Sequence, residues 1–146
     1  MDIIKNYTDE NGLKQGFWEC CFENGELHSR GEYKDDKETG FWEYFKGKSD
    51  ILTCGNYING MKSGIWKGHG IISQGDSYEI HYKNDIKDGI QRFYYDFQSI
   101  ELVYFLVKGE KCGMYDFYKP SGYVIERGFN KNNKMIGLWY NNRYKL

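Results

Sequence analysis

The sequence predicts an all-β protein, an elongated single-layer antiparallel β-meander built from six hairpin repeats of about 24 residues. Three observations predict this fold. A glycine-centred motif recurs at regular spacing, turn-forming residue pairs fall between its copies, and the composition suits strands. Aromatic residues make up 18% of the 146-residue chain, which has 18 glycines, one proline and no alanine. Such a composition favours strands joined by turns over helices.

The repeat is defined by a marker glycine followed by an apolar residue and, in five of the six copies, by Trp or Tyr. Successive marker glycines are 24, 24, 25, 24 and 24 residues apart. Because glycine within a strand marks a bend or a close backbone approach, each marker predicts a locally distorted strand. The six copies are Gly16-Phe17-Trp18, Gly40-Phe41-Trp42, Gly64-Ile65-Trp66, Gly89-Ile90-Gln91, Gly113-Met114-Tyr115 and Gly137-Leu138-Trp139.

A two-residue turn motif begins five residues before each marker and ends four residues before it. Such pairs tolerate positive φ at both positions, as a type I′ hairpin requires. The pairs therefore predict tight turns between consecutive strands. They are Asn11-Gly12, Asp35-Asp36, Asn59-Gly60, Asn84-Asp85, Lys108-Gly109 and Asn132-Asn133.

A second strand column precedes each of these turns, and it begins nine residues before each of the last five markers. Each repeat then ends in a looser turn, so one unit comprises a strand, a variable turn, a strand and a tight turn. Six units predict roughly eleven to thirteen short strands. The second column begins Gly31-Glu32-Tyr33, Gly55-Asn56-Tyr57, Ile80-His81-Tyr82, Tyr104-Phe105-Leu106 and Gly128-Phe129-Asn130. The looser turns are Asn24-Gly25, Lys46-Gly47-Lys48, Ser73-Gln74-Gly75, Asp96-Phe97-Gln98 and Pro120-Ser121-Gly122.

Strand alternation assigns the side chains to two faces. Trp18 shares one face with Cys20, while Phe17 shares the other with Glu19. One face is therefore expected to carry an aromatic ladder, and the other to begin apolar and turn polar toward the looser turn. The ladder holds more rings than a single β layer can bury, which predicts an exposed aromatic patch suited to a protein partner. Its expected members are Trp18, Trp42, Trp66, Tyr115 and Trp139, with Tyr44, Phe93, Tyr95 and Phe117.

Length and charge bound the class of protein. A chain of 146 residues predicts a single repeat domain over 1–146. The net charge of -1 argues against a general nucleic-acid-binding surface. The longest apolar run, residues 102–107, is far too short for a membrane span, and no signal-peptide pattern opens the chain. We therefore expect a soluble cytoplasmic protein whose four cysteines are free thiols.

The repeat resembles the MORN repeat, and more narrowly the MORN-variant repeat of small bacterial antitoxin-like and immunity-like proteins. The pattern Asn-Gly-x-x-x-Gly-x-Trp is seen over Asn11–Trp18, followed by Asn24-Gly25-Glu26-Leu27 and Arg30-Gly31-Glu32-Tyr33. The resemblance extends from about residue 7 to residue 142. It implies an elongated single-layer meander with an aromatic-lined groove that serves as a binding scaffold, and an antitoxin function without a catalytic motif.

No residue pattern predicts an enzyme, a metal or another cofactor. Cys20 and Cys21 are adjacent and would point to opposite faces, and no Cys-x-x-Cys pair is present. His69 and His81 could approach each other across a hairpin near Ser73 or Asp76, but no other feature supports a nucleophilic site. The glycines around His69 lack a following helix pattern that would bind phosphate.

The repeat is least regular at its centre, where a specific partner is expected to bind. Copy four replaces the aromatic residue with Gln91 and loses the second-column glycine. The predicted partner-binding residues are His69, His81, Gln91, Arg92, Phe93, Tyr94 and Tyr95. The expected partner is a protein, most simply a toxin, and the open sheet also predicts a possible homodimer through an edge.

Two other binding functions stay open at this point. A lipid- or membrane-associated scaffold would use the C-terminal third, where eight basic and three acidic residues follow from Lys108 onward. Single-stranded nucleic acid would require a basic groove beside Phe93, Tyr94 and Tyr95, and the net charge argues against it.

Overall fold

The structure, a computed structural model, describes residues 5–47, 50–69, 76–96 and 99–142. These residues form one open sheet of twelve antiparallel strands that lie in chain order, without a helix in the described ranges. The predicted all-β meander of hairpins is confirmed. The strands are β1 Tyr7–Thr8, β2 Lys14–Cys21, β3 Leu27–Lys34, β4 Lys37–Phe45, β5 Ile51–Ile58, β6 Met61–His69, β7 Ser77–Lys83, β8 Ile86–Tyr94, β9 Ile100–Val107, β10 Glu110–Tyr118, β11 Val124–Lys131 and β12 Lys134–Asn141.

Some expected features fall outside this description. They are the turn at 73–75, part of the turns at 46–48 and 96–98, the chain ends 1–4 and 143–146, and the side chains of Trp139 and Asn141.

Five of the six predicted tight turns have positive φ at both residues, as type I′ geometry requires. In the Asn59-Gly60 turn, for example, the angles are 52° and 77°. The first turn differs, because β1 and β2 are joined by the longer loop 9–13. There the Asp9 carboxylate accepts hydrogen bonds from the backbone N–H groups of Asn11 (2.9 Å) and Leu13 (3.0 Å), and these contacts stabilise a wider turn.

Marker glycines bend the strands that contain them. Gly40 and Gly64 have φ of 65° and 71°, a left-handed conformation that L side chains adopt at a cost. The pairing register shifts at the same places, where β3 faces β4 and where β5 faces β6. These shifts are β-bulges, which twist and bend the strand. The markers therefore set the register of each hairpin, in agreement with the expected bend.

A second glycine column makes room for the tryptophans. A Cβ built on Gly31 would lie 2.3 Å from the Trp42 ring, and one on Gly55 would lie 2.3 Å from the Trp66 ring. Both indoles are almost fully buried, with 2% and 1% of their surface exposed. Each indole N–H donates to a backbone carbonyl on the preceding strand, Glu32 for Trp42 and Asn56 for Trp66, at 3.1 Å. The core of this single layer thus lies in the contact between Trp and Gly.

The Trp side of the sheet, which we call the aromatic face, carries a continuous row of rings. Tyrosines pack edge-on between the indoles, with centroid distances between 4.9 and 6.4 Å. Such edge-to-face contacts are favourable for aromatic pairs. The row runs through Trp18, Tyr33, Trp42, Tyr57, Trp66 and Tyr82. The predicted ladder is therefore present over the first half of the chain.

The opposite side, which we call the charged face, carries a row of directly paired residues from β2 to β12. Ion pairs along this row join Arg30 to Glu43 (2.5 Å) and Arg127 to Asp116 (2.5 Å). Cross-strand neighbours of opposite charge stabilise antiparallel strands. The row, which we call the charge row, comprises Glu19, Arg30, Glu43, Cys54, Lys67, Glu79, Arg92, Val103, Asp116, Arg127 and Tyr140.

Candidate functional site

The pleat of β8 divides the seven predicted partner-binding residues between the two faces. Arg92 and Tyr94 lie on the charged face, as do His69 and His81, which pair with Ser77 and Ile65 respectively. Gln91 and Phe93 lie on the aromatic face, and Tyr95 follows the last residue of β8. Strand alternation separates neighbours in sequence, so a continuous run such as 91–95 cannot form one contact surface.

Gln91 occupies the position of a tryptophan. It is fully buried, and its side-chain amide donates to the carbonyls of Gly89 (3.1 Å) and His81 (3.4 Å). The His81 carbonyl lies ten residues before Gln91, as the Asn56 carbonyl lies ten residues before Trp66. Ile80 stands where three of the other units have glycine (Gly31, Gly55 and Gly128), so its side chain takes the space that an indole would need. Gln91 therefore belongs to the frame of the sheet and offers no surface to a partner in this structure.

Phe93 and Tyr95 also have contacts within the sheet. The Phe93 ring stacks on Tyr104 with a centroid distance of 5.8 Å and an interplanar angle of 15°. The Tyr95 hydroxyl donates to the Tyr118 carbonyl at 2.7 Å, which ties the end of β8 to the end of β10. The first contact lies within repeat four, and the second joins repeat four to repeat five.

Three of the predicted residues gather around Glu79 on the charged face. The Glu79 carboxylate lies 2.9 Å from Lys67 Nζ and 3.4 Å from Arg92 Nη1. A cavity of about 370 Å³ opens beside it, and His69 and Tyr94 belong to its lining. The four groups next to Glu79 come from β6 and β8, the two strands that pair with β7. Direct strand pairing thus builds the site.

Electrostatics at this site follow from the shared carboxylate. The hydrogen bond from Lys67 holds the pKa of Glu79 below its usual value, although partial burial opposes the shift. The same contact raises the pKa of Lys67. Burial raises the pKa of the Tyr94 hydroxyl, and the charge of Glu79 adds to that increase. At neutral pH Glu79 is therefore ionised beside the protonated Lys67 and the Arg92 guanidinium, and the Tyr94 phenol keeps its proton.

Sequence reasoning missed Lys67 and Glu79. The spacing predicts the location of Lys67, because Glu19, Glu43, Lys67 and Arg92 each lie three residues after a marker glycine. The marker position therefore predicts which residues form one side of the charge row. The position of Glu79 between Lys67 and Arg92 depends on the register of the paired strands, which the spacing does not predict.

An apolar row runs beside the charge row on the same face. The row contains residues that follow a marker glycine or pair with one that does, polar residues such as His81 among them, and several of its apolar side chains are about half exposed. Among them Phe41 is 54% exposed, Ile65 41%, Phe105 40% and Met114 54%. An exposed apolar row next to a charged row is the composition of a protein-binding surface.

The possible approach of His69 and His81 does not occur. His69 pairs with Ser77, which lies four residues before His81 on β7, so the two positions are about 13 Å apart along the strands. Ser73, the suggested nucleophile, lies outside the described residues.

The chemical inventory of the described chain is short. Its four cysteines are free, and burial raises the pKa of the Cys54 thiol. Within the described ranges, no three His, Cys, Asp or Glu side chains are grouped so that they could hold a metal ion. The same ranges contain no helix that is long and apolar enough to cross a membrane.

The outer edges of the sheet differ from each other. Near the first edge, the Asn6 side-chain amide makes the two hydrogen bonds that a neighbouring strand would make. It accepts from the Glu19 backbone N–H (2.8 Å) and donates to the Glu19 carbonyl (3.0 Å). Lys5 adds an ion pair to the Glu19 carboxylate at 2.7 Å. At the last edge, the described residues place no strand beyond β12.

No protein-family model matches the chain, and no curated protein is significantly similar to it. The MORN resemblance therefore rests on the repeated residues described above.

Proposed function

We propose that this chain is a non-enzymatic protein-binding scaffold, an antitoxin or immunity protein that binds and neutralises a cognate bacterial toxin in the cytoplasm. The observation that carries the proposal is a cavity on the charged face that His69, Glu79 and Tyr94 line, with Arg92 in contact with the Glu79 carboxylate. The resemblance to MORN-variant proteins supplies the functional class. In this proposal, the charged face around Glu79 binds the toxin specifically.

The surface has the components that a specific interface needs. The apolar row supplies area that is favourable to bury, and Ile65 brings that row to the centre of the sheet. Lys67, Glu79 and Arg92 supply charges that orient a partner and exclude partners of the wrong charge pattern. Arginine and tyrosine are the residue types that most often dominate binding energy. We therefore assign the main contacts to Arg92 and Tyr94.

The proposal predicts that Arg92→Ala and Tyr94→Ala each weaken toxin binding by about 2 kcal/mol or more. The test begins with capture of partners by the tagged full chain from its native lysate, with and without nuclease. A captured protein is then produced separately and titrated with the wild-type chain and the variants by calorimetry. Its toxicity is measured by expressing it in cells with and without the chain.

Arg127→Ala is the matched control. It breaks an equivalent ion pair in the same charge row, with Asp116, at a distance from the cavity. Binding should be nearly unchanged in this variant. The proposal is wrong if the captured protein does not arrest growth, or if all three variants weaken binding equally. Recovery of lipid or nuclease-sensitive RNA without a stoichiometric protein would favour one of the other binding functions.

A further inference from the structure

The aromatic face contains a cavity of about 290 Å³ in repeat five, far from the cavity on the charged face. Its walls come from β9, β10, β11 and β12, and they combine aromatic rings with a buried carboxylate. The residues used in the argument are Tyr104, Lys111, Tyr115, Phe117, Glu126 and Asn130. They share one face because Tyr104 pairs with Tyr115, and Phe117 pairs with Glu126.

The cavity exists because repeat five carries smaller residues than the earlier repeats. Asn130 occupies the column position that holds Tyr33 and Tyr57 in the first repeats. Tyr115 occupies the position of Trp42 and Trp66. In the earlier repeats, the larger rings fill the corresponding space and pack edge-on against each other.

The chemistry of the walls favours a positive charge. Glu126 and Tyr115 are each only 9% exposed, and the Tyr115 hydroxyl donates to Glu126 Oε1 at 2.6 Å. This donor orients the carboxylate within a largely apolar wall. Aromatic faces attract cations through their quadrupole, and the attraction grows when the cation is desolvated. A carboxylate beside several rings is therefore a suitable environment for an organic cation.

The protein itself places an ammonium group beside the cavity. Lys111 Nζ lies 4.8 Å from the centroid of the Tyr104 ring. Lys14 and Lys62, four residues before their own aromatic residues, make the same type of contact with filled parts of the ladder. Of these three lysines, Lys111 alone lines this cavity. Its ammonium group is an example, within the protein, of the kind of cation that the cavity would bind.

We infer that this cavity is a binding site for an alkylammonium or guanidinium group and that Lys111 competes with the ligand for it. The volume suits a group the size of one side-chain terminus, being at the lower limit for ligand pockets. The group could belong to a free small cation or to a lysine or arginine on a peptide. The inference is independent of the toxin proposal because it concerns the opposite face and another repeat.

The test is a titration of the full chain, followed by NMR at the backbone amides of residues 104, 115 and 117. The probes are tetramethylammonium and methylguanidinium, with tert-butanol and methylurea as neutral probes of similar shape. A blocked Gly-Arg-Gly peptide and its citrulline counterpart distinguish a peptide side chain from a free cation. We expect saturable shifts with the cationic probes only, and little change around His69 and Tyr94 on the charged face.

Two substitutions should act in opposite directions. Glu126→Gln should weaken binding at least tenfold, because it removes the charge and keeps the shape. Lys111→Met should strengthen binding several-fold, because it removes the competing ammonium. If Glu126→Gln fails to fold, Phe117→Leu replaces it, with weaker binding expected. Equal shifts with neutral probes, no shifts at all, or weaker binding by Lys111→Met would overturn the inference.

Discussion

At Gly55, the ring of Trp66 lies where any other residue would carry its first side-chain carbon. The same relation joins Gly31 to Trp42. In a single layer without a second sheet or helix to cover it, an indole can be buried only by lying against backbone. Glycine provides that backbone surface, and the buried indole N–H donates to a carbonyl on the strand that contains the glycine.

Gly55→Ala is therefore expected to destabilise the fold by about 2–3 kcal/mol, the usual range for overpacking in a tight core. The free energy of unfolding from urea titration measures the effect. Gly64→Asn is the control, because Gly64 has open space around it and asparagine tolerates its positive φ. If the two variants lose equal stability, the close approach of Trp66 is not the cause.

At the scale of the strand pair, β7 and β8 show how the contact between Trp and Gly can be replaced. Ile80 replaces a second-column glycine and Gln91 replaces a tryptophan. The two replacements fit each other, because the isoleucine leaves no space for an indole. Gln91 retains the hydrogen bond to the preceding strand and loses the ring. The aromatic row stops here and resumes with the stacked pair Phe93 and Tyr104.

A double-mutant cycle tests this coupling. Gln91→Trp alone should be destabilising because the indole meets Ile80, and Ile80→Gly alone should leave a void. The double variant should be more stable than the sum of the single effects by about 1–3 kcal/mol. Urea denaturation of all four proteins gives the interaction energy. Additive effects would mean that Ile80 does not determine the residue at position 91.

The pair of β10 and β11 has an acid-sensitive contact. The hydrogen bond from Arg127 holds the pKa of Asp116 below its usual value of 3.8. Because the folded state lowers this pKa, its contribution to stability is complete above pH 4 and is lost as the pH falls through the folded value. The urea midpoint should therefore drop between pH 4 and pH 2.

Asp116→Asn provides the comparison for this decrease. The variant should be less stable than the wild type at pH 6, and the difference should narrow as the pH falls toward 2. A constant difference across the range would show that Asp116 titrates equally in the folded and unfolded states.

Much of this hairpin architecture could be predicted from sequence, because turn pairs and marker glycines act locally. The turn at Asn59-Gly60 and the bulge at Gly64 follow from residues within one hairpin. The site was less predictable. Its centre, Glu79, depends on register between three strands, and the burial of Gln91 depends on Ile80 in the neighbouring strand. A run of irregular residues indicated one region of the chain but could not show which face each side chain occupies.

On the scale of the whole molecule, the sheet is a linear array. All substantial contacts between strands join consecutive strands. Stability should then depend on each repeat and its neighbours, as in other repeat proteins. The best-packed region lies around Trp42 and Trp66, whereas Met135, Ile136 and Leu138 near the last edge are about half exposed.

Native-state hydrogen exchange should reveal this difference. The slowest backbone amides are expected in β4 to β6, and those of β11 and β12 should exchange faster through local opening. Amide-resolved exchange under native conditions is the measurement. Uniform protection from β2 to β12 would show that the sheet opens as one cooperative unit.

The contact of Gly31 with Trp42 and that of Gly55 with Trp66 each lie within a hairpin that is closed by a tight turn. The altered pair Ile80 and Gln91 also lies within one such hairpin, β7 and β8. Recombination with breakpoints in the variable loops would therefore transfer both members of each pair together and would not place an indole at position 91 beside Ile80. The contact between Gly128 and Tyr115 crosses a variable loop, so an exchange at that loop would have to preserve both residues. The tight-turn hairpin is the natural module for inheritance and for engineering.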